Sequence, residues 1–318
     1  DKLTLTGVLG RGAYGVVYEG TWRNLRVAVK TLIFSSSPVA KGKTGEIDAA
    51  GTKVRMSGYE RAVKEAAVCT TMAHRNVVAT YRYEIKALAT RQEAGQYLEV
   101  DVDGVPPEQA SDFKLYIIQE RCDANLAEAI DYQILGSLPG SSKLAIHLYL
   151  LLDLSRGVEY LHLQNIIHGD LKTDNVLLKL DKTSKLGVTL KLTDFGLAQA
   201  LDPGATHVSN FRGGTRFFIA PEVLGEGRAG RPSDVYALGV CAWCVLHGRH
   251  PYVVGQAGEF LLHPDFPHPP PDLATQDDPA VRSVVSIMSR CLITAPAGRP
   301  TAHDVVAELE RLVATLPD

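Results

Sequence analysis

The chain has 318 residues, 45% of them hydrophobic and 22% charged, which is the composition of a folded globular protein and excludes overall disorder. Its formal net charge of −3 excludes the strongly basic surface typical of nucleic-acid binding, so we expect no nucleic-acid partner. The length is enough for two lobes with separate cores, and no apolar run reaches the about 20 residues that span a bilayer.

Five cysteines are scattered along the chain, and the one close pair, Cys241 and Cys244, lies in an apolar helical run. We interpret both as core residues, because no second Cys or His pair stands near enough to complete a metal site. Cysteines in an odd number favour a reducing, cytoplasmic compartment. With no signal peptide at its start, the chain is expected to be an intracellular domain, and membrane attachment through a longer protein stays open.

The first predicted elements are three strands rich in β-branched and aromatic residues, over 3–9, 16–22 and 27–33. Between the first two strands lies a glycine-rich segment that contains Gly10, Gly12 and Gly15. Glycines allow backbone amides to approach phosphate oxygens without side-chain obstruction, although an ordinary hairpin can have the same pattern. Because a strand rather than a helix follows, the segment does not predict a dinucleotide-binding fold.

Lys30 ends an apolar stretch on the third strand, and a lysine that ends a buried strand needs an anionic partner. A glycine-rich loop followed by a strand lysine resembles the signature of the protein kinase family. The resemblance implies a bilobal α+β fold, with a small antiparallel β-sheet N-lobe holding one main helix and a larger, mostly helical C-lobe. It also implies ATP as a substrate, whose phosphates Lys30 and the glycine-rich loop would bind.

The family pairs that lysine with a glutamate on the main N-lobe helix, which the sequence predicts over 59–73. Glu60 and Glu65 are the two candidates, and at about 100° per residue their side chains point about 140° apart. Glu65 lies on the apolar stripe of the helix, whereas Glu60 lies on the side of Lys64. We therefore expect Glu65 to pair with Lys30.

Two segments of the N-lobe, about 35–56 and 86–112, lack a clear hydrophobic period and are rich in turn-forming residues. We interpret them as insertions that form surface loops, and we predict that both are dispensable for catalysis. Strands are predicted on either side of the second insertion, near 77–85 and 113–119.

The strand over 113–119 leads to the position of the family's hinge. The resemblance assigns Glu120 and Cys122 to the hinge, where a main-chain carbonyl and a main-chain amide would meet the edge of adenine. It also assigns three apolar residues to the faces of the adenine ring: Val17, Ala28 and Leu177. Composition alone would assign these three to the core.

From residue 123 the pattern turns helical. Helices are predicted over 124–135, 143–163, 233–247 and 280–292. A strand pair interrupts them, over 176–180 and 188–193. We therefore assign residues 1–121 to the N-lobe and 122–318 to the C-lobe of one kinase domain.

The stretch from His168 to Asn175, with the sequence HGDLKTDN, is the most specific motif of the chain. It resembles the kinase catalytic loop, in which Asp170 would be the base for the substrate hydroxyl and Asn175 would bind Mg²⁺. Asp194, in the Asp-Phe-Gly motif after the next strand, would be the other magnesium ligand. We interpret Asp174 as a solvent-facing residue.

Lys172, two residues after the catalytic aspartate, is typical of serine/threonine kinases, where it would neutralise the transferred phosphoryl group. Thr215 indicates the same specificity, and we expect it to hydrogen-bond the catalytic aspartate or Lys172. Glu222 of an Ala-Pro-Glu motif is expected to pair with Arg299, and Asp234 is expected to anchor the catalytic-loop backbone.

These motifs, in the family's order, predict an ATP- and Mg²⁺-dependent serine/threonine kinase of protein substrates, most similar to the tyrosine-kinase-like group. The alternative is a pseudokinase, a nucleotide-binding or scaffolding module without transfer, which normally lacks a catalytic group; here the expected groups are all present. The Ala-Pro-Glu segment, which holds peptide substrates, argues against a small-molecule kinase. One departure is Gly169, since the family commonly has arginine there and an activation-segment phosphate would lack that partner.

Overall fold

The structure is a computed structural model that describes residues 2–12, 15–35, 46–47, 53–54, 58–93, 96–102, 112–139, 142–202 and 204–317. The chain forms two compact units. The first comprises Asp1–Ala73 and Ala79–Arg121, and the second comprises His74–Val78 and Cys122–Asp318. Residues 74–78, which we predicted in the N-lobe, belong to the second unit because they pair with Leu192. Val78 N donates to the Leu192 carbonyl, and Leu192 N donates to the Asn76 carbonyl, both at 2.9 Å.

The first unit is built on an antiparallel sheet with the strand order β1-β2-β3-β8-β6-β7. Its strands are β1 (Thr4–Gly12), β2 (Gly15–Trp22), β3 (Leu25–Ser35), β6 (Thr80–Glu93), β7 (Gln96–Val102) and β8 (Asp112–Glu120). A separate pair consists of β4 (Glu46–Ile47) and β5 (Lys53–Val54). The one helix of this unit to be described is α1 (Gly58–Thr71).

The central strand β8 is buried on both faces of this sheet. Leu115 and Ile117 pack into one cluster that includes Ala66 of α1, while Tyr116 and Ile118 pack into another on the opposite face. Since side chains alternate between the faces of a strand, burial on both sides explains why its sequence is almost continuously apolar.

The second predicted insertion differs from the surface loop that we expected. Residues up to Glu93 continue β6, and β7 pairs with them in antiparallel register from Ala87↔Val102 to Glu93↔Gln96. Tyr97, Leu98 and the two valines of β7 give it strand propensity, which the flanking glycine and prolines obscured. Of the first insertion, about 35–56, the structure describes β4, β5 and Ser35 of β3. For its remaining residues, 36–45, 48–52 and 55–56, the expectation of a flexible loop lies outside the described part of the chain.

The second unit is mostly helical. Its helices are α2 (Leu126–Asp131), α3 (Lys143–Leu163), α4 (Pro221–Glu226), α5 (Arg231–His247), α6 (Pro271–Ala274), α7 (Pro279–Cys291) and α8 (Ala302–Val313). Its strands are β9 (Ala124–Asn125), β10 (Ile166–Ile167), β11 (Val176–Leu180), β12 (Val188–Leu192), β13 (Gln199–Ala200), β14 (His207–Val208), β15 (Ala229–Gly230), β16 (Tyr252–Val254) and β17 (Phe260–Leu262).

Local signals explain where these helices begin and end. Ser142 caps α3, its hydroxyl accepting a hydrogen bond from Ala145 N at 3.1 Å, and the helix has the predicted bounds. The predicted helix over 124–135 is shorter, because Gln133 adopts a left-handed φ of 54° between α2 and a short 3₁₀ turn. Helix α8, which we did not predict, begins at a capping box of Thr301 and Asp304.

The predicted α+β fold, with a β-rich first part and a mostly helical second part, is confirmed. Within the ranges listed above, no helix has both the length and the hydrophobicity needed to cross a membrane.

Candidate active site

In the first unit, Lys30 of β3 forms a buried ion pair with Glu65 of α1. Lys30 Nζ lies 2.6 Å from Glu65 Oε1, and the two residues are 9% and 5% exposed. A buried charge is stable only with such a partner, and removing one member of the pair costs about 3–5 kcal/mol. The side chain of Glu60 lies outside the described part of the chain.

Two of the predicted adenine-binding residues share the sheet face of this lysine. Val17 is the cross-strand partner of Lys30, and Ala28 lies two residues from it on the same strand. Cross-strand partners and residues two apart point to the same side of a sheet. The first unit therefore has the apolar side chains of Val17 and Ala28 on the same sheet face as Lys30, whose ammonium group is paired with Glu65.

The glycine-rich loop is a hairpin in which Gly12 is paired with Gly15. Gly15 has a φ of 134°, and a Cβ atom there would lie 2.1 Å from the Thr31 carbonyl oxygen, so only glycine fits. Gly10 and Gly12 have nothing within 4 Å of an added Cβ. The backbone of these two is thus open to a close ligand, while Ala13 and Tyr14 lie outside the described residues.

The predicted hinge residues fall on either side of the boundary between the two units. Glu120 N donates to the Ala79 carbonyl at 2.9 Å, and the Glu120 carboxylate accepts from Ala79 N at 2.7 Å. Cys122 is buried and begins the longer segment of the second unit. Leu177, half-buried on β11, pairs with Asn125 of β9. Their role in binding adenine stays a prediction.

In the second unit, the catalytic loop and Thr215 form one hydrogen-bonded group around Asp170. The Thr215 hydroxyl donates to Asp170 Oδ1 at 2.8 Å, and Lys172 Nζ donates to Thr215 Oγ1 at 2.9 Å. Lys172 Nζ also lies 3.8 Å from Asp170 Oδ2. The sequence left open whether Thr215 bonds to Asp170 or to Lys172, and in the structure it contacts both.

Asn175 and Asp194 provide oxygen ligands of the kind that Mg²⁺ prefers. Asn175 Nδ2 donates to the Asp170 carbonyl at 2.8 Å, which leaves its amide oxygen as the group able to meet a cation. Asp194 follows β12 with a left-handed φ of 62°, an uncommon conformation for a residue other than glycine. In the described part of the chain no three His, Cys, Asp or Glu side chains form a cluster that could hold a metal ion.

Asp234 of α5 holds the backbone of the catalytic loop, as predicted. Its carboxylate accepts from His168 N at 2.8 Å and from Gly169 N at 3.0 Å, and His162 Nε2 lies 3.0 Å away. Burial alone would raise the pKa of this carboxyl group, but its interactions with His162, His168 and the Gly169 backbone outweigh burial and lower it. The loop is therefore fixed by an ionised carboxylate.

The predicted ion pair between Glu222 and Arg299 is also confirmed. It is bidentate, with distances of 2.7 Å and 2.8 Å, and the Arg299 side chain is fully buried. Burial opposes ionisation of Glu222, yet the guanidinium group holds its pKa below the ordinary value. The pair attaches the start of α4 to the segment before α8.

Comparison with known proteins agrees with this arrangement. The family model described as "Protein kinase domain" matches residues 3–309. The chain belongs to the protein kinase domain family. Among its relatives is "Receptor-like kinase TMK2" of Arabidopsis thaliana, 28% identical over 327 residues, which are 96% of this chain and 31% of the relative.

Two animal proteins are also similar to this kinase domain. "Mitogen-activated protein kinase kinase kinase 11" of Homo sapiens is 27% identical over 99% of this chain and 32% of its own length. "Receptor-interacting serine/threonine-protein kinase 3" of Rattus norvegicus is 32% identical over 53% of this chain and 36% of its own. The aligned part is thus about a third of each relative's length.

The kinase domain departs from its family at Gly169. This residue has a φ of 76°, and an added Cβ would lie 2.8 Å from the Leu197 carbonyl oxygen and 3.0 Å from Phe211 Cζ. The Phe211 ring therefore lies against the catalytic loop in the space that a side chain at position 169 would need. Sequence reasoning missed Phe211, because nothing in its local pattern indicates which distant backbone it contacts.

Proposed function

We propose that this domain transfers the γ-phosphate of ATP to serine and threonine hydroxyl groups of protein substrates. The observation that carries the proposal is the hydrogen-bonded group of Asp170, Thr215 and Lys172. It puts an acceptor for the hydroxyl proton beside a cation that can neutralise the transferred phosphoryl group. The name of one relative, a serine/threonine-protein kinase, supports the same substrate class.

Asp170 is the base in this reaction. Its carboxylate is buried, with 7% of the residue exposed, and one oxygen is oriented by the Thr215 hydroxyl. The substrate hydroxyl would donate to the carboxylate, which aligns the oxygen for attack on the γ-phosphorus atom. Since phosphoryl transfer depends on positioning and charge stabilisation rather than covalent catalysis, a fixed base of this kind is sufficient.

The negative charge of the nucleotide requires several positive groups. Asn175 and Asp194 would hold Mg²⁺, which when bound neutralises charge on the phosphate oxygens. Lys30, held by Glu65, would bind phosphate as a point charge, and the backbone around Gly10 and Gly12 would bind through amide groups. Each of these residues orients charge without itself taking a proton.

The partners that follow from this function are ATP, Mg²⁺ and protein substrates. We assign the reaction to the cytoplasm, because Cys241, Cys244 and Cys291 are buried and have free thiols, as expected for a reducing compartment. The aligned region covers only 31% of a receptor-like relative. The substrates and partners of the whole protein are therefore stated here as proposals.

The test is transfer of labelled phosphate from ATP to a generic protein substrate with Mg²⁺, followed by phosphoamino-acid analysis. We expect phosphoserine and phosphothreonine. Lys30→Met and Asp194→Asn should each lower the rate about 10²–10³-fold, and Asp194→Asn should also weaken the dependence on Mg²⁺. Asp174→Asn, on an exposed carboxylate of the same loop, is the matched control and should retain activity.

Two results would contradict the proposal. Nucleotide binding by a folded domain that transfers no phosphate would indicate a pseudokinase. Turnover like that of the unmodified domain in the Lys30 or Asp194 variant would show that the assigned residues are not the site.

A further inference from the structure

The second unit contains a cavity of about 420 Å³ that the proposed reaction does not use. It is lined by residues from the end of α3, the first turn of α5 and the segment that leads into α8, and by none from the catalytic-loop motif at 168–175. A volume in this range is typical of pockets that bind small molecules. The cavity is therefore a candidate for a second ligand site.

Much of the cavity wall is apolar. Among the lining residues, Val235 and Ala302 are buried, Pro232 and Pro300 are half-buried, and Leu163 is 70% exposed. An apolar group bound against this wall would take some of its surface out of water, which is favourable in proportion to the area covered. The wall therefore favours a ligand with an apolar body.

Arg231, the first residue of α5, brings a positive charge to the cavity. Its Nη2 donates to Asn165 Oδ1 at 2.5 Å, and both residues line the cavity. Asn165 is neutral, and within the part of the chain that the structure describes Arg231 forms no ion pair. Arg231 is exposed, and a guanidinium group has five N–H donors in a planar fork. It therefore keeps donors for a carboxylate.

Two other charged residues of the lining already have partners. Glu159 Oε1 lies 2.7 Å from His303 Nδ1, and this hydrogen bond raises the pKa of His303 above its ordinary value, which favours the imidazolium form. Arg299 has a fully buried side chain and is held by the bidentate contact with Glu222. Neither Glu159 nor Arg299 therefore needs a charge from a ligand.

His162 is the remaining titratable residue of the lining. Its Nε2 lies 3.0 Å from Asp234 Oδ2, and the same carboxylate holds the catalytic-loop backbone at His168 and Gly169. His162 is therefore also engaged. In the lining as a whole, Arg231 is the charge that has a neutral partner in place of a counter-charge.

We propose that this cavity binds an apolar molecule with one carboxylate group, which pairs with the guanidinium group of Arg231 while the apolar body contacts Leu163 and the two prolines. A neutral ligand would leave the charge of Arg231 without a counter-charge, and a cationic ligand would be repelled by it. The lining includes neither Asp170 nor Lys30, so the proposal does not depend on the transfer activity.

A matched pair of probes tests the need for a carboxylate: 2-naphthoate, which is an anion, and 2-naphthamide, which has the same shape without the charge. Binding to the whole domain would be measured by calorimetry. We expect 2-naphthoate to bind about three- to tenfold more tightly. Arg231→Gln should remove that preference. Arg228→Gln, at an exposed arginine that pairs with Glu226 and does not line the cavity, is the control and should retain it.

Two measurements on the unmodified domain do not depend on a variant being folded. Raising the salt concentration from about 0.05 M to about 0.5 M should reduce the preference for 2-naphthoate, because salt screens an exposed ion pair. Excess ADP with Mg²⁺ should leave the bound 2-naphthoate in place, because the proposed nucleotide site is elsewhere.

Four results would each overturn the proposal. They are equal affinity for the two probes, a preference that survives in Arg231→Gln or at high salt, displacement of 2-naphthoate by ADP, and no saturable binding of either probe. Displacement by ADP would place the probe at the proposed active site, whereas loss of transfer activity alone would leave the carboxylate site unaffected.

Discussion

The activation segment of this kinase domain, which lies between the Asp-Phe-Gly motif of Asp194 and the Ala-Pro-Glu motif of Glu222, should stay in place without phosphorylation. In kinases with arginine at the position of Gly169, a loop phosphate pairs with that guanidinium group and orders the segment through charge-assisted hydrogen bonds. Here the position has no cation. The nearby cation Arg216 already interacts with another group, since its guanidinium carbon lies 4.7 Å from the centroid of the Phe217 ring. We therefore expect Thr206→Ala and Ser209→Ala, alone or together, to retain most of the transfer activity.

The structure supplies other contacts that hold the segment. Strand β14 pairs with β15, and Phe211 N donates to the Gly227 carbonyl at 2.8 Å. The Phe211 side chain packs on a cluster of Ile167, Leu201 and Ala229. Both the backbone pairing and the aromatic contact are independent of phosphate.

Phe211→Ala measures the strength of this attachment. Truncating a fully buried phenylalanine costs about 3–5 kcal/mol, and Phe211 is only partly buried, so about half of that, or about 2 kcal/mol, is expected. If the substitution destabilises only the form in which the segment is packed on the second unit (the docked form), the ratio of docked to undocked segment falls about 30-fold, since about 1.4 kcal/mol is a factor of ten. Transfer activity should fall in proportion once the undocked form dominates.

The assay is peptide phosphorylation before and after phosphatase treatment, on the unmodified domain and on Phe211→Ala. Phe260→Ala removes another aromatic ring, 50% exposed on β17, and is the control that should change little. A tenfold loss of activity after phosphatase treatment, restored by rephosphorylation of Thr206 or Ser209, would refute the reasoning. It would mean that some basic group does hold a phosphate.

Three further predictions concern single residues, and a fourth concerns an insertion. Glu65→Gln should lower phosphate transfer more than tenfold and Glu60→Gln less than twofold; equal losses would show that the helix register is wrong. Glu222→Gln should destabilise the domain by about 3 kcal/mol in urea unfolding, because it leaves the buried Arg299 guanidinium group without its counter-charge. Burial lowers the pKa of His147 to about 4, against an ordinary 6.5, so between these pH values the unfolded state binds a proton and the folded state does not. The free energy of unfolding should therefore fall by up to about 3 kcal/mol as the pH drops from 6.5 to 4. His147→Leu should make it depend less on pH over that range. Shortening 36–45 should leave transfer unchanged, and lost activity would show that the segment regulates or supports the lobe.

The elements that sequence could predict are those whose signals are local. Helix α3 has the predicted bounds because a serine cap and a long apolar period mark it. Strand β7 and helix α8 also have local signals, an alternating pattern in one and a capping box in the other. They were missed because glycine and proline nearby favoured a loop for the first, and because the kinase motifs end before the second.

The candidate site divides in the same way. Asp170, Lys172 and Asn175 lie within one short motif, so their contacts follow from spacing once the motif is recognised. Thr215 could be assigned to either of two partners, and only the structure shows that it contacts both. The choice depends on how a distant segment folds back onto the loop, which no local pattern encodes.

The prediction that the activation segment does not depend on phosphorylation requires both the sequence and the structure around Gly169. The sequence reveals the missing guanidinium group and therefore the missing partner for a phosphate. It does not reveal that the residue is at φ 76° with the Leu197 carbonyl and the Phe211 ring in the space of a side chain. Because an arginine there would meet both, Gly169→Arg should not create a phosphate-dependent kinase. It should displace Phe211 and lower activity whether or not the segment is phosphorylated, and activation of this variant by phosphorylation would show that the segment can rearrange around a new side chain.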